Sequence, residues 1–242
     1  ATTALSVASH PITAVYSGDG TYATSTSGAV NQVVNLAAST TGIASSLNPS
    51  TFGQSVTFTA NVTGPGGTPT GTVQFREGST DLGTPVALTA GVATYVTTTL
   101  SVGNHPVRAI YSGDANYGGS SSGSVGQDVN QAASATALSS SLNPSTSGAT
   151  VTFTATVTGP GSLPTGTVQF KDGAANLGTA VPLNGSGVAT LVTTTLSVAS
   201  HPITAVYSGD ASYGTSTSPT VNQVVNLAPT ATALTSSVNP ST

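Results

Sequence analysis

The sequence contains no cysteine, methionine or tryptophan, and only 4% of its 242 residues are charged. Without cysteine, the fold has no disulfide and no thiolate that could act as a nucleophile or a metal ligand. There is no run of about 18 apolar residues, so we expect no membrane insertion in this segment. Three cations against seven acids give a net charge of −4, which excludes the basic surface that nucleic-acid binding requires.

What the sequence does contain is a long internal repeat. LSVASHPITAVYSGD at 5–19 returns as LSVGNHPVRAIYSGD at 100–114 and unchanged at 196–210. The offsets are therefore 95 and 96 residues, which is the size of one small β-sandwich. Because the first and third copies are more alike than either is to the middle one, we predict an alternating super-repeat of two units.

The repeat predicts where the chain divides. We expect the last three strands of one unit at 1–36, complete units at 37–131 and 132–228, and the first strand of a further unit at 229–242. The sequence is accordingly interpreted as a section of a longer protein. The junctions between units are short and contain no long Gly/Ser tract, which favours an extended, semi-stiff rod.

Each unit has the pattern of β-strands throughout. In VTFTANV at 56–62, apolar residues alternate with Thr and Asn, and the period of two indicates strands with one buried face. Gly- and Pro-rich segments separate such runs, and no segment has helical amphipathicity. Seven strands are predicted in the first complete unit, near 40–47, 54–63, 71–77, 80–88, 92–99, 105–112 and 124–131. The fold class is therefore all-β.

These motifs, together with LNPST at 47–51 and PTGTVQF at 69–75, resemble the bacterial immunoglobulin-like (Big) domain repeats of large surface and secreted proteins. The resemblance covers essentially the whole chain. It implies tandem immunoglobulin-like seven-stranded β-sandwiches arranged as an extended rod, of the kind found in stalks and adhesins. It also implies an extracellular or cell-surface location, and it names no ligand.

The motif YSGDxxY occurs three times and holds three of the few acids. An Asp after Gly at a chain reversal can accept its own downstream N–H groups, so we predict a structural turn. The alternative is a weak calcium site at Asp19, Asp114 and Asp210, although each loop supplies one carboxylate and Ca²⁺ usually needs several. The predicted turn residues are Tyr16, Asp19, Tyr22, Tyr111, Asp114, Tyr117, Tyr207, Asp210 and Tyr213.

The three histidines, His10, His105 and His201, each precede a Pro at the same point of the repeat. One imidazole per unit is too few for a metal centre, and no nucleophile motif accompanies it. We predict a structural corner, in which a ring nitrogen bonds back to the preceding loop as the tyrosine of a tyrosine corner does. The adjacent charges Arg76–Glu77 and Lys171–Asp172 are interpreted as a solvated edge of little energetic weight.

These observations predict a non-catalytic structural or adhesive rod segment with no cofactor. Its expected partners are neighbouring repeats of the same protein and further copies, which would assemble into a surface filament or matrix fibre. The alternative is an adhesin module that binds carbohydrate or a host protein through its loop tips. Those tips would be TGPGGTPTG at 63–71 and TGPGSLPTG at 158–166, which lack the ending of a phosphate-binding loop.

Overall fold

The computed structural model describes residues 5–237, and all regular structure in this range is β-strand. No helix in this range is therefore long and apolar enough to cross a membrane. The described residues form two compact units, one of residues up to 50 together with 54–129 and one of 51–53 together with 130 onward. We refer to residues 5–36 as the N-terminal segment, to 37–131 as the first module and to 132–228 as the second module.

The N-terminal segment forms two small antiparallel pairs. Strand β1 pairs with β4 and β2 pairs with β3. Most of its residues are exposed to solvent. The strands are β1 (Ala8–Ile12), β2 (Val15–Tyr16), β3 (Ser25–Thr26) and β4 (Val30–Val34).

The first module is a sandwich of two sheets. One sheet has the order β10-β7-β5, and the other has the order β6-β13-β11-β8-β9, with β12 also paired to β11. Its strands are β5 (Thr40–Ser45), β6 (Ser50–Thr51), β7 (Val56–Thr63), β8 (Thr72–Glu77), β9 (Thr80–Ala87), β10 (Val92–Thr97), β11 (Gly103–Tyr111), β12 (Ser120–Ser121) and β13 (Val125–Asn130).

The second module repeats this arrangement. One sheet has the order β14-β16-β20 and the other the order β15-β23-β21-β17-β18, with β19 paired to β17 and β22 to β21. Its strands are β14 (Ala135–Ser140), β15 (Ser145–Thr146), β16 (Val151–Thr158), β17 (Thr167–Asp172), β18 (Ala175–Asn176), β19 (Val181–Pro182), β20 (Val188–Thr193), β21 (Ser200–Tyr207), β22 (Ser216–Thr217) and β23 (Val221–Asn226).

Each module has its own hydrophobic core between the two sheets. The period-two pattern of the sequence decides which side chains enter it, since alternate residues of a strand face opposite sides. In β7 and β16 the apolar positions are buried, while the intervening Thr and Asn are partly or fully exposed. The central residues of the first core are Val56, Phe58, Ala60, Val73, Phe75, Val107, Ala109 and Tyr111, and those of the second are Val151, Phe153, Ala155, Val168, Phe170, Ile203, Ala205 and Tyr207.

One polar side chain in each module is fully buried between the sheets. The Gln127 side chain accepts a hydrogen bond from Ser45 Oγ and donates to Ser50 Oγ and to the Asp128 carbonyl. Gln223 occupies the equivalent place in the second module. A buried amide without hydrogen-bond partners would cost free energy, and these bonds avoid that cost. They also connect the first strand of each module to the last.

The predicted all-β fold and the two tandem sandwiches are confirmed. In the first module the seven predicted strands correspond to β5, β7, β8, β9, β10, β11 and β13, and two further two-residue strands, β6 and β12, lie between them. Residues 229–237 form no strand, and 238–242 lie outside the described residues. The strand predicted at 229–242 stays a prediction.

Candidate functional site: the aspartate loop and the histidine corner

The aspartate loop, residues 111–117 and 207–213 of the two modules, is a tight turn closed by its own acid. Asp114 Oδ1 accepts hydrogen bonds from the N–H groups of Asn116 and Tyr117, both at 2.8 Å. The Asp114 N–H in turn donates to the Tyr117 carbonyl at 2.9 Å. Gly113 precedes it with φ of 80°, where a Cβ would lie 2.9 Å from two backbone atoms. The turn therefore requires glycine at this position.

The second carboxylate oxygen reaches a different loop. Asp114 Oδ2 accepts from the backbone N–H of Thr70 at 2.7 Å and from its hydroxyl at 2.8 Å. Asp210 Oδ2 makes the same two bonds to Thr165, each at 2.8 Å. Both threonines belong to the Gly/Pro-rich loops that were singled out as candidate binding tips. The acid thus holds its own turn with one oxygen and the neighbouring loop with the other.

These donors make the carboxylates more acidic. The N–H group of Thr70 is the main cause that lowers the pKa of Asp114 well below its ordinary value, against a smaller opposing effect of burial. Burial raises the pKa of Asp210, but the hydrogen bonds from Thr165, Ser212 and Tyr213 outweigh it, and the net shift is downward. Hydrogen bonds to an ionised carboxylate favour the ionised form.

The contacts bear on the calcium alternative. Asp114 and Asp210 each already accept four hydrogen bonds, whereas Ca²⁺ takes about six to eight oxygens, usually from several acids. Of the other acids, Asp81 pairs with Arg76, and Asp128 accepts from Asn104. Within residues 5–237, no group of three or more acids, histidines or cysteines could hold a metal ion. The structural turn is still a prediction, and these contacts are what supports it.

The two tyrosines of each aspartate loop are buried in different ways. The Tyr117 hydroxyl donates to the Pro65 carbonyl at 2.8 Å, and its ring lies so close to Gly64 that a Cβ there would be 2.4 Å from it. The Tyr111 hydroxyl is buried without a hydrogen-bond partner in the described structure. Burial, with the nearby Asp114 charge, raises the pKa of Tyr111 to about 12.

The histidine corner is formed by His105 in the first module and His201 in the second. His105 Nε2 lies 2.8 Å from the carbonyl of Ser101, four residues earlier, and His201 Nε2 lies 2.9 Å from that of Ser197. Both rings are largely buried. This is the back-bonding to the preceding loop that the corner prediction describes, and its structural role stays a prediction.

Sequence reasoning missed the second partner of each histidine. His105 Nδ1 is 2.8 Å from Glu77 Oε1, and His201 Nδ1 is 2.6 Å from Asp172 Oδ2. The interpretation of Glu77 and Asp172 as a solvated edge was therefore wrong, because the last residue of β8 and of β17 faces inward, towards the histidine. The signal was present, since both acids end the same GTVQF strand.

Both ring nitrogens of each corner histidine thus face an acceptor. For His201, the Ser197 carbonyl and the Asp172 carboxylate raise the pKa, and burial opposes them. The arrangement connects the acid at the end of β17 to the beginning of β21. Within the described residues no nucleophile is hydrogen-bonded to either ring, apart from a 3.5 Å contact to a serine hydroxyl in each module.

In the N-terminal segment, the equivalent aspartate and histidine contact only residues close to them in the sequence. Asp19 Oδ1 accepts from the N–H groups of Thr21 and Tyr22, and its Oδ2 accepts from the Tyr16 hydroxyl at 2.7 Å. The Tyr16 hydroxyl is the main cause that lowers the pKa of Asp19. His10 Nε2 lies 2.7 Å from the Ser6 carbonyl.

The loop tips of the first module enclose a small groove. Its volume is about 210 Å³, below the roughly 300–1,000 Å³ of typical small-molecule sites. Polar and apolar atoms line it in similar proportion, and no aromatic or charged side chain does. The lining residues are Val62, Thr63, Gly64, Gly67, Thr68, Pro69 and Ala90.

The chain was compared with curated proteins and with solved structures. No curated protein matches the chain significantly. Similar solved structures include fibronectin(III)-like modules of Clostridium thermocellum CbhA, with 15% identity, 77% of this chain and 95% of that chain covered, and a TM-score of 0.32. A 1.5-MDa bacterial ice-binding adhesin has 15% identity, 89% and 74% coverage and a TM-score of 0.34. The D0-D1 domain of intimin has 16% identity, 77% and 99% coverage and a TM-score of 0.31.

The family is established by the sequence itself. The model of the bacterial Ig-like domain (group 3) matches residues 43–130 and 138–226, which is more than half of the chain. Such domains are generally non-catalytic modules and are typical of surface adhesins and structural proteins. The two matched ranges coincide with the two sandwiches, and the chain belongs to the bacterial Ig-like domain (group 3) family.

Proposed function

We propose that the chain is a non-catalytic structural and adhesive rod segment of a large extracellular bacterial repeat protein. The observation that carries this proposal is that each module uses its candidate site groups internally, and in the same way twice. The carboxylates of Asp114 and Asp210 hold two loops together, and the imidazoles of His105 and His201 lie between a carbonyl and an acid. Repetition of closed, self-contained modules supplies length rather than chemistry.

The proposed shape is an extended rod. Only a few residues separate the last strand of one module from the first strand of the next, and Gly/Ser tracts are absent from these junctions. At roughly 3.3 Å per residue the longest strand, of nine residues, spans about 30 Å, and with the loops at its two ends one sandwich spans about 35–45 Å along such a rod. The neighbouring repeats are the first partners of each module in this proposal.

The proposal extends to self-association outside the cell. With 4% charged residues, two copies of the chain repel each other weakly, which favours side-by-side contact in a filament or matrix fibre. Electron microscopy of the chain at physiological salt tests this extension, since ordered bundles are expected. Dispersed single particles at all concentrations would contradict it.

Small-angle X-ray scattering of the chain tests the rod. The expected largest dimension is about 70–90 Å for two modules in line. A largest dimension close to that of one module would overturn the proposal.

Melting with and without a chelator tests the internal use of the carboxylates, because a metal bound only to the native state would stabilise it. We expect unchanged melting temperatures, and a drop of several degrees on adding chelator would restore the calcium alternative.

A further inference from the structure

Two of the three cations in the chain lie side by side on the outer face of the first module. Arg76 in β8 is directly opposite Arg108 in β11, and on its other side Arg76 is opposite Asp81 in β9. Directly opposite residues of antiparallel strands have their Cβ atoms about 4.5–5.5 Å apart. We call these three residues, Asp81, Arg76 and Arg108, the arginine row.

The charges of the arginine row do not balance. Asp81 forms an ion pair with Arg76, in which both side chains stay well exposed. Arg108 is partly buried, and its Nε has no hydrogen-bond partner anywhere in residues 5–237. Like charges directly opposite each other destabilise a sheet, and a guanidinium N–H that has neither water nor an acceptor, as at Arg108 Nε, adds to this cost. The row therefore lacks one anion.

The second module shows that the fold does not need this pair. In the same register, Lys171 of β17 lies opposite Thr204 of β21 and opposite Asn176 of β18. The equivalent row thus carries one cation and no unpartnered guanidinium. The register of β8 with β11 equals that of β17 with β21, so this strand pairing forms with Thr204 in place of the second arginine.

We propose that the arginine row of the first module binds an oxyanion, a carboxylate or sulfate group, carried by an acidic polysaccharide. The two terminal NH2 groups of Arg108 suit two parallel hydrogen bonds to such a group, and Arg76 adds a second positive charge. This inference rests on the proposed extracellular adhesive function and names a ligand class for it.

A polymer fits the site better than a small free anion. The row lies on an open sheet face, where a single oxyanion would be held weakly. A polysaccharide with one acid per sugar presents many oxyanions on one molecule, so that a neighbouring acid can rebind the row when one dissociates, and this high local concentration raises the overall affinity without any new contact. If the predicted super-repeat holds, the row recurs in every second module.

The test measures binding of the intact chain to polygalacturonate and to dextran sulfate, with neutral dextran as the uncharged reference. Arg108→Thr installs the residue that the second module has at this place. Lys171→Ser is the matched control, because it removes one positive charge from the equivalent row. We expect binding of at least one acidic polymer, a loss of about tenfold or more in Arg108→Thr and a change below about twofold in Lys171→Ser.

Other outcomes overturn the inference. Equal losses in the two variants would show general electrostatic attraction, and binding of neutral dextran would show that the anion is irrelevant. Binding of polyglutamate but of neither polysaccharide would assign the row to an acidic protein. Arg108→Lys keeps the charge without the two terminal NH2 groups and should retain only part of the affinity. A chain that is extended in scattering but binds neither polymer would refute this inference and leave the rod proposal intact.

Discussion

The same fifteen residues occur in two surroundings, at 5–19 in the N-terminal segment and at 196–210 in the second module. Their local structure is nearly the same in both. The pairing of β1 with β4 has the register of β21 with β23, and the turn after each is closed by its Asp, Asp19 or Asp210. Turn chemistry and the hairpin are therefore properties of the local sequence.

The surroundings decide everything that depends on a neighbouring sheet. Ile12 is 47% exposed and Ile203 is 0% exposed, and β1 and β2 are interrupted where β21 runs unbroken alongside β17. The second oxygen of Asp19 binds its own Tyr16, whereas that of Asp210 binds Thr165. Burial, strand continuity and the link between loops are thus added by tertiary contacts.

The largest expected effect comes from the second tyrosine of the motif. Tyr213→Ala should lower the free energy of unfolding of the second module by about 3–5 kcal/mol, because a fully buried ring leaves a cavity. Tyr22→Ala should change the free energy of unfolding of its own unit, the one with residues up to 50, by less than about 0.5 kcal/mol, since Tyr22 is 68% exposed. Both changes are measured by urea unfolding, followed through NMR signals of the second module for Tyr213→Ala and of the unit with residues up to 50 for Tyr22→Ala. Similar losses of stability would refute the contrast between the two regions.

The next effect concerns the second carboxylate oxygen of the loop aspartate, which binds another loop at Asp210 but not at Asp19. Asp210→Asn should destabilise the second module by about 1–3 kcal/mol, since an amide cannot accept at both ends and the Thr165 donors lose their partner. Asp19→Asn should leave cooperative unfolding unchanged, because Asp19 makes no contact outside its own turn among the bonds of the described residues. Urea unfolding of both variants is the measurement. A loss of stability in Asp19→Asn would show that the N-terminal segment takes part in the cooperative fold.

A smaller effect sharpens the role of burial alone. Ile203→Val removes one methylene from the core and should cost about 0.5–1.5 kcal/mol. The same change at Ile12, in the same local sequence, should cost almost nothing. Thermal melting of the two variants checks this, and equal shifts of melting temperature would contradict it.

Much of the fold could be predicted because the repeat and the period-two pattern are strong signals. The positions of Val56, Phe58 and Ala60 in the core follow from alternation alone. The short strands β6 and β12 could not be predicted, since two residues carry no periodicity. The burial of Gln127 could not be predicted either, because a polar residue is buried only where the tertiary structure supplies hydrogen-bond partners.

The contacts of the candidate sites also fall into two groups, local contacts that the sequence predicts and tertiary contacts that it does not. The hydrogen bonds of Asp114 to its own turn are local and follow from its position after Gly113. Its link to Thr70, 44 residues away, depends on which loops the sandwich brings together. The pairing of Glu77 with His105 likewise crosses from β8 to β11. Alternation along β8 puts Glu77 on the same face as Phe75, but it does not show that His105 lies opposite.

The smallest expected effect is a pH dependence of the second module that His201 creates. Its pKa is raised in the folded protein above the ordinary 6.5, so its stabilising effect is complete at a pH below about 6.5 and is lost as the pH rises through the folded pKa. The free energy of unfolding should therefore fall over this window, as measured by urea unfolding at several pH values.

His201→Gln should abolish this slope, and Asp172→Asn should reduce it, because the Ser197 carbonyl remains as the first cause of the shift. His10→Gln is the matched control in the N-terminal segment and should leave the slope as it is; a slope that persists in His201→Gln would assign the pH dependence to another group.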